Sequence, residues 1–417
     1  MLTLISSALS QNFYLKLHKI WTSCFLRCVI NKNKTINRTE GRKITEEKKI
    51  KVSFPHMGSM YIVVASLIRS LGGEVIVPPR TSKKTLSIGT KYSPEAICLP
   101  YKLLLGNYIE AIEQGAEAVI MISSPGICRL GEYSKTIRNA LDDLGYKIKY
   151  IDLDLYKGKI SEMLKCLKIV TGNSNLVTLG KGLNIAFNKM FILDSLENEL
   201  AYYRAREHEF GQSEKAYNRA LKWIDEASTK KDLKEANRMA LEEIRKTPID
   251  ENREVLKVDL TGEIFMVLDP FSNQNLEREL GRLGIQTKRS MNISGWLKTA
   301  IIPSFMRKEE THLERAERLA KPYLLRDIGG DAIESVSDVA YATNRGIDGI
   351  IHISPFTCMP EIISQNIFPK MRQDGSIPIL ALVLDEQTGK AGFVTRLEAF
   401  VDLMKRRKRH LQAGMAY

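Results

Sequence analysis

The sequence predicts an α/β protein of two parallel-sheet lobes facing a central cleft, with a helical segment between them. Two observations carry this. Short β-branched apolar runs alternate with segments of helical apolar spacing, and one strand-like phrase occurs twice, as Glu117-Ala-Val-Ile-Met-Ile-Ser-Ser-Pro-Gly-Ile-Cys128 and Asp348-Gly-Ile-Ile-His-Ile-Ser-Pro-Phe-Thr-Cys358. Each phrase reads as a buried parallel strand stopped by proline. The C-terminal ends of such strands are where open α/β sheets meet their ligands. A chain of 417 residues also exceeds what one core normally holds.

The elements follow in order. Val52-Ser-Phe is a strand, Tyr61 to Leu71 a helix closed by Gly72-Gly73, and Glu74 to Val77 the next strand, which together make one βαβ unit. Ile109 to Gly115 closes a helix before the Cys128 strand, and Thr136 to Leu144 leads through Gly145 into the strand Tyr146 to Leu153. Ser195 to Thr247 is rich in Glu, Lys, Arg, Ala and Leu, lacks proline and reads as helix. The second half repeats the first: Glu263 to Leu268 reads as a strand, Pro270 to Asn275 as a turn, Leu276 to Leu283 as a helix and Gly284 onward as a strand. Helix Val336 to Arg345 then delivers the Cys358 strand, followed by Ile377 to Leu384. The resulting division is a basic, mobile extension over 1–49, a first lobe over 50–193, a helical connector over 194–252, a second lobe over 253–400 and a basic tail over 401–417.

The formal charge of +13 lies at the ends. Residues 1–51 carry 11 Lys/Arg against 3 Asp/Glu, and residues 401–417 carry 5 Lys/Arg against one Asp, so the 349 residues between them hold only 13 − 12 = +1. A nearly neutral folded portion argues against nucleic-acid binding. No apolar run approaches a membrane span. Lys16, Lys19 and Arg27 fall within or after the first apolar stretch, the reverse of a secretory leader. The expectation is a cytoplasmic, reducing setting, in which six cysteines serve metal or thiol chemistry rather than disulfides.

Three of these cysteines stand at element ends beside proline or glycine: Cys98 in Glu95-Ala-Ile-Cys98-Leu-Pro-Tyr-Lys102, and Cys128 and Cys358 after their strands. Pro100, Gly126, Pro355 and Pro360 stiffen or open the backbone around them. Thiolates are soft ligands suited to iron–sulfur clusters and to zinc. Three of them fit a 4Fe-4S cluster with one iron left open, or a zinc ion completed by a fourth donor, for which His56 is the better candidate and His352 reads as a buried polar residue. Cys166 suits the apolar face of a helix, and Cys24 and Cys28 read as ordinary residues of the extension. Tyr202, Tyr203 and Trp223 read as packing, and Asp385 and Glu386 as caps of a turn. The duplication is imperfect, because thirty residues before Cys358, where the first lobe has Cys98, stands Ile328-Gly329-Gly330.

Ala96-Ile-Cys98-Leu-Pro-Tyr-Lys102, Pro125-Gly-Ile-Cys128, Ser354-Pro-Phe-Thr-Cys358-Met-Pro-Glu361, Asp385-Glu386-Gln-Thr-Gly389 and Thr395-Arg396-Leu-Glu398-Ala-Phe400 resemble the 2-hydroxyacyl-CoA dehydratase subunit superfamily, closest to its activase-related branch. The resemblance implies flavodoxin-like lobes and a 4Fe-4S or double-cubane cluster on Cys98, Cys128 and Cys358. It also implies an ATP-dependent activase that supplies low-potential electrons, a small substrate reduced at the cluster, and a homodimer. A Gly-x-x-x-x-Gly-Lys-Ser/Thr loop is absent, so the chain is expected to receive electrons rather than hydrolyse ATP. A non-catalytic electron-transfer or regulatory subunit, or a zinc-bound scaffold, are the other readings.

Overall fold

The computed structural model describes residues 50–123, 127–154, 176–290, 312–342, 345–375 and 377–413. The extension with Cys24 and Cys28, the segment with Cys166, and Pro125 and Gly126 lie outside them. The first lobe comprises β1 (Lys51–Ser53), α1 (Met60–Ser70), β2 (Glu74–Val75), α2 (Lys83–Lys91), α3 (Leu99–Glu113), β3 (Ala118–Ser123), α4 (Leu130–Asp143) and β4 (Lys149–Asp154). Then come the connector helices α5 (Leu176–Arg204), α6 (Gln212–Glu226) and α7 (Lys230–Arg245). The second lobe has β5 (Leu256–Gly262), α8 (Ile264–Leu268), α9 (Leu276–Arg282), β6 (Ile285–Arg289), α10 (His312–Ala320), α11 (Ala332–Ala342), β7 (Gly349–Pro355), α12 (Met359–Gly375), β8 (Ile379–Leu384) and α13 (Lys390–Gln412).

Both sheets are wholly parallel and share one order, β2-β1-β3-β4 and β6-β5-β7-β8. This is the two-lobe parallel α/β architecture that the repeated strand phrase predicts, flavodoxin-like as the family resemblance implies. The duplication extends to single hydrogen bonds. Glu117 brackets Lys51 by N–H to O at 2.7 Å and by accepting the Lys51 N–H at 3.1 Å; Asp348 does the same to Lys257 at 2.9 and 2.7 Å. In each lobe the chain reverses direction across the sheet between the first and third strands, which opens a crevice at their C-terminal ends. Cys128 follows β3 and Cys358 follows β7, so both stand at these switch points.

The lobes share one hydrophobic core: Leu99, Leu103, Leu105 and Ile109 of α3 join Val119 of the first sheet, Val258, Leu260, Ile351 and Leu382 of the second, and Phe393 and Phe400 of α13. Thirteen of the fifteen residues of α3 are buried. Two glycines let α3 approach α2: a Cβ at Gly106 would lie 2.1 Å from the Thr85 carbonyl oxygen, and one at Gly89 only 1.7 Å from that of Lys102. Lys102, buried on α3, reaches Glu386 of the second lobe at 2.5 Å and the Glu95 carbonyl at 3.0 Å. Asp385 does cap its turn, accepting from Gln387 N and Thr388 Oγ1, whereas Glu386 is the partner of a buried cation.

Three expectations need correction. Ile264–Leu268 is helical, because the Glu263 carboxylate accepts the Phe265 and Met266 amides at 3.2 and 2.9 Å and so nucleates a turn; the strand lies just before it, as β5. The basic residues read as a tail are the last turns of α13, since Val401 and Met404 continue the buried stripe of Phe393, Leu397 and Phe400. The helical connector is already helix at Leu176, the first described residue after 154, ahead of the expected start at 194. Tyr203 and Trp223 pack on the connector core as expected, while Tyr202 is partly exposed and stacks under Arg206. No helix among the described residues is long and apolar enough to cross a membrane.

Replacing Gly106 with Ala forces α3 off α2; unfolding in denaturant is expected to show a loss on the order of 1–3 kcal/mol. An unchanged midpoint would mean that the close helix approach is not structural.

Candidate functional site

Each of the three predicted thiols sits at the start of a helix. Cys98 is the N-cap of α3, and its carbonyl accepts the Tyr101 amide at 3.1 Å. Cys128 lies two residues before α4, and Cys358 immediately precedes α12, where its carbonyl accepts the Ile362 amide at 2.9 Å. A first-turn amide also addresses each sulfur: Tyr101 for Cys98, Leu130 for Cys128 and Glu361 for Cys358. Helix N-termini favour negative charge, so each helix start favours the thiolate form of its cysteine against the effect of burial. In addition, the Tyr133 hydroxyl lies 2.5 Å from Cys98 Sγ, with Tyr133 held edge-on against Tyr101.

One side chain ties the three loops together. Arg129, next to Cys128, donates to the Ala96 carbonyl at 2.9 Å, to Thr357 Oγ1 at 2.7 Å and to the Thr357 carbonyl. Ala96 stands two residues before Cys98 and Thr357 one before Cys358, so a single guanidinium fixes all three cysteine loops across the lobe boundary. Thr357 holds φ at +66°. That conformation costs a β-branched residue about 1–2 kcal/mol and persists because Arg129 and the Ala96 carbonyl, 3.3 Å from Thr357 Oγ1, hold both of its oxygens.

The surroundings are acidic. Glu263, at the C-terminal end of β5, is carried there by Gly262, whose φ of +131° and 1.9 Å Cβ clearance from the Ile353 carbonyl oxygen admit only glycine. Asp331 precedes α11 and accepts the Ile264 amide at 3.0 Å. His352 and Glu361, both fully buried, are joined at 2.5 Å. Burial first, then the Asp331 charge, raises the Glu263 carboxyl to about 8. Burial and the neighbouring carboxylates raise Asp331 and Glu334 as well. Burial likewise raises all three thiols, Cys128 to about 12, and each of them feels the Glu263 charge. Cys128 also feels Cys98, and Cys358 feels Cys128, which places the three in one electrostatic neighbourhood.

His352 is the buried polar residue that strand alternation predicts. His56 stacks on Tyr61 at 4.8 Å, and burial with the Arg80 charge lowers it to about 4. The groups that dominate the thiols' surroundings are Tyr133, Arg129, Glu263, Asp331 and Glu361, and His56 is not one of them. Among the described residues no three His, Cys, Asp or Glu side chains are close enough to hold a single metal ion. A separate cavity, at the seam of α5, β6 and the β1–α1 loop, has walls of Met57, Met60, Met190 and Leu193 beside the Glu197–Arg289–Glu277 ion network, and shares no lining residue with the thiols.

Sequence reading missed Arg129, Tyr133, Glu263 and Asp331. Arg129 adjoins Cys128 and could have been marked on that ground; the others are brought in only by the fold.

Because its pKa rises from 4.5 unfolded to about 8 folded, Glu263 contributes stability that is full below pH 4.5 and is lost as pH rises through 8. Denaturant unfolding of metal-free protein at pH 5 and at pH 8 is expected to show a decline across that window, to which Glu263 contributes roughly 1.4 kcal/mol for each pH step of one. Glu263→Gln is expected to make the profile shallower by that contribution, Asp331 and Glu334 keeping theirs. An equally steep profile in the variant would place the proton elsewhere.

No curated protein matches the chain. Residues 54–290, more than half of it, match the family described as CoA enzyme activase uncharacterised domain, DUF2229; the match covers Cys98, Cys128 and Glu263 and ends before Cys358. The chain therefore belongs to this activase-related family, in agreement with the resemblance read from its cysteine loops.

Proposed function

We propose that the chain is an iron–sulfur protein that receives low-potential electrons from an ATP-dependent activase and reduces a small substrate at a cluster held by Cys98, Cys128 and Cys358. The observation that carries this reading is the meeting of three thiols, each at a helix N-terminus and each addressed by a backbone amide, at the switch-point ends of two duplicated lobes. A 4Fe-4S or double-cubane cluster would supply one-electron chemistry and an iron not claimed by cysteine. The protein's own residues do the rest. The helix N-termini and Arg129 offset the negative charge of thiolates, the Tyr133 hydroxyl hydrogen-bonds Cys98, and the buried carboxyl of Glu263 holds a proton beside the site. Since burial keeps the metal-free thiols protonated, loading the site releases protons.

The partner reading rests on the family and on the rim of the site. Ile127, Phe356 and Met359 flank Cys128 and Cys358 in the chain and are 43%, 61% and 51% exposed. Leu325, 88% exposed, lies three residues before Ile328, whose carbonyl accepts the Ile127 amide at 3.1 Å. Apolar side chains left in water around a chemical site mark a docking surface, here for the electron donor.

Protein purified without oxygen is expected to hold about four irons and as much acid-labile sulfide per chain, with a paramagnetic signal after reduction. Cys128→Ala is expected to lose the iron. Full iron content in that variant, or zinc in the wild type, would overturn the assignment.

A further inference from the structure

The duplication points to a donor for the fourth coordination position. In the first lobe a helix pair, α2 and α3, precedes the third strand, and Cys98 caps its second helix. In the second lobe α10 and α11 occupy the same place before β7, and the residue immediately before α11 is Asp331, whose carbonyl accepts the Ser335 amide at 2.9 Å. The structural counterpart of Cys98 is thus Asp331, three residues beyond the position found by counting back from Cys358. The four equivalent positions of the two lobes are Cys98, Cys128, Asp331 and Cys358.

The local geometry brings Asp331 to the thiols. Gly330, at φ +71°, passes so close to Cys128 that an added Cβ would stand 3.3 Å from the Cys128 Cβ and 2.6 Å from Pro360 Cγ. A side chain at Gly330 would displace the loop, and the next residue is Asp331. The Ile127 amide bonded to the Ile328 carbonyl fixes the two loops to one another. Asp331 Oδ2 is oriented by the Ile264 amide at 3.0 Å, the kind of outer hydrogen bond that holds a ligating carboxylate in place.

We propose that Asp331 is the fourth protein donor of the three-thiol site, a displaceable carboxylate that covers the iron left open by Cys98, Cys128 and Cys358. This inference rests on the cluster reading of the site. A hard carboxylate binds iron of a sulfur-rich cluster less firmly than a thiolate does, so the position is closed to weak ligands at rest and yields to a strong one. Binding iron would release to solvent the proton that burial favours on Asp331 in the metal-free protein; the later exchange transfers no electron, one Fe–O bond breaking as one bond from iron to the entering ligand forms.

The test uses the full chain, loaded with iron and sulfide under anaerobic conditions and reduced, with cyanide as the probe and the paramagnetic spectrum as the readout. Asp331→Asn keeps an acceptor for the Ile264 amide but is a poor ligand; it is expected to respond to cyanide at roughly tenfold lower concentration than the wild type, the equivalent of about one lost weak bond. Asp331→Cys, the counterpart of Cys98, is expected to keep its iron and not respond. Equal cyanide sensitivity in the wild type and Asp331→Asn would overturn the inference while leaving the cluster intact. A wild type without iron would overturn the cluster reading and this inference with it. If Asp331→Asn fails to fold, Asp331→Cys decides alone: cyanide sensitivity as in the wild type overturns the proposal, and resistance supports it.

Discussion

Helix α3 has almost no solvent face, and much of the molecule is arranged around that fact. Its apolar residues enter a core that both lobes share, so the lobes cannot part without exposing it. Its one buried cation, Lys102, must be matched from outside the helix, and Glu386 of the second lobe does this at 2.5 Å. Breaking one side of such a pair leaves a buried charge without a partner, which is strongly unfavourable, although the 20% exposure of Glu386 softens the loss. The same helix carries Cys98 at its N-terminus. The seam between the lobes and the placement of the first thiol therefore depend on one element.

The other two thiols come to Cys98 by the logic of the open α/β sheet. Identical strand order in both lobes places the loops after β3 and β7 at equivalent switch points, and the shared core turns those points toward each other. Arg129 then joins the loops through neutral carbonyl and hydroxyl oxygens; among the described residues every hydrogen bond that it makes goes to such an oxygen. Its charge is thus left to act on the Cys98 sulfur, where it opposes the effect of burial.

The acids beside the thiols work against them. Burial and mutual repulsion raise the Glu263, Asp331 and Glu334 carboxyls in the metal-free protein, which favours their neutral forms. Strain at Thr357 and the close passage of Gly330 are local consequences of bringing four loops to one point.

The sequence alone determined what is local or periodic. The two strand phrases, the glycines that end α1, α3 and α4, and the position of each cysteine at an element end were legible because hydrophobic period and turn chemistry act over a few residues. It misassigned Ile264–Leu268, where an apolar run too short to show its period is turned into helix by the Glu263 cap. It could not pair Lys102 with Glu386, 284 positions away, nor Arg129 with Thr357, 228 positions away. Nor could it align Asp331 with Cys98, because counting residues back from Cys358 ignores the different loop lengths of the two lobes, whereas the sheet and its helix pairs do not. Tertiary structure decided those partners, since only the packing of one lobe on the other brings such distant charges and loops within hydrogen-bond reach.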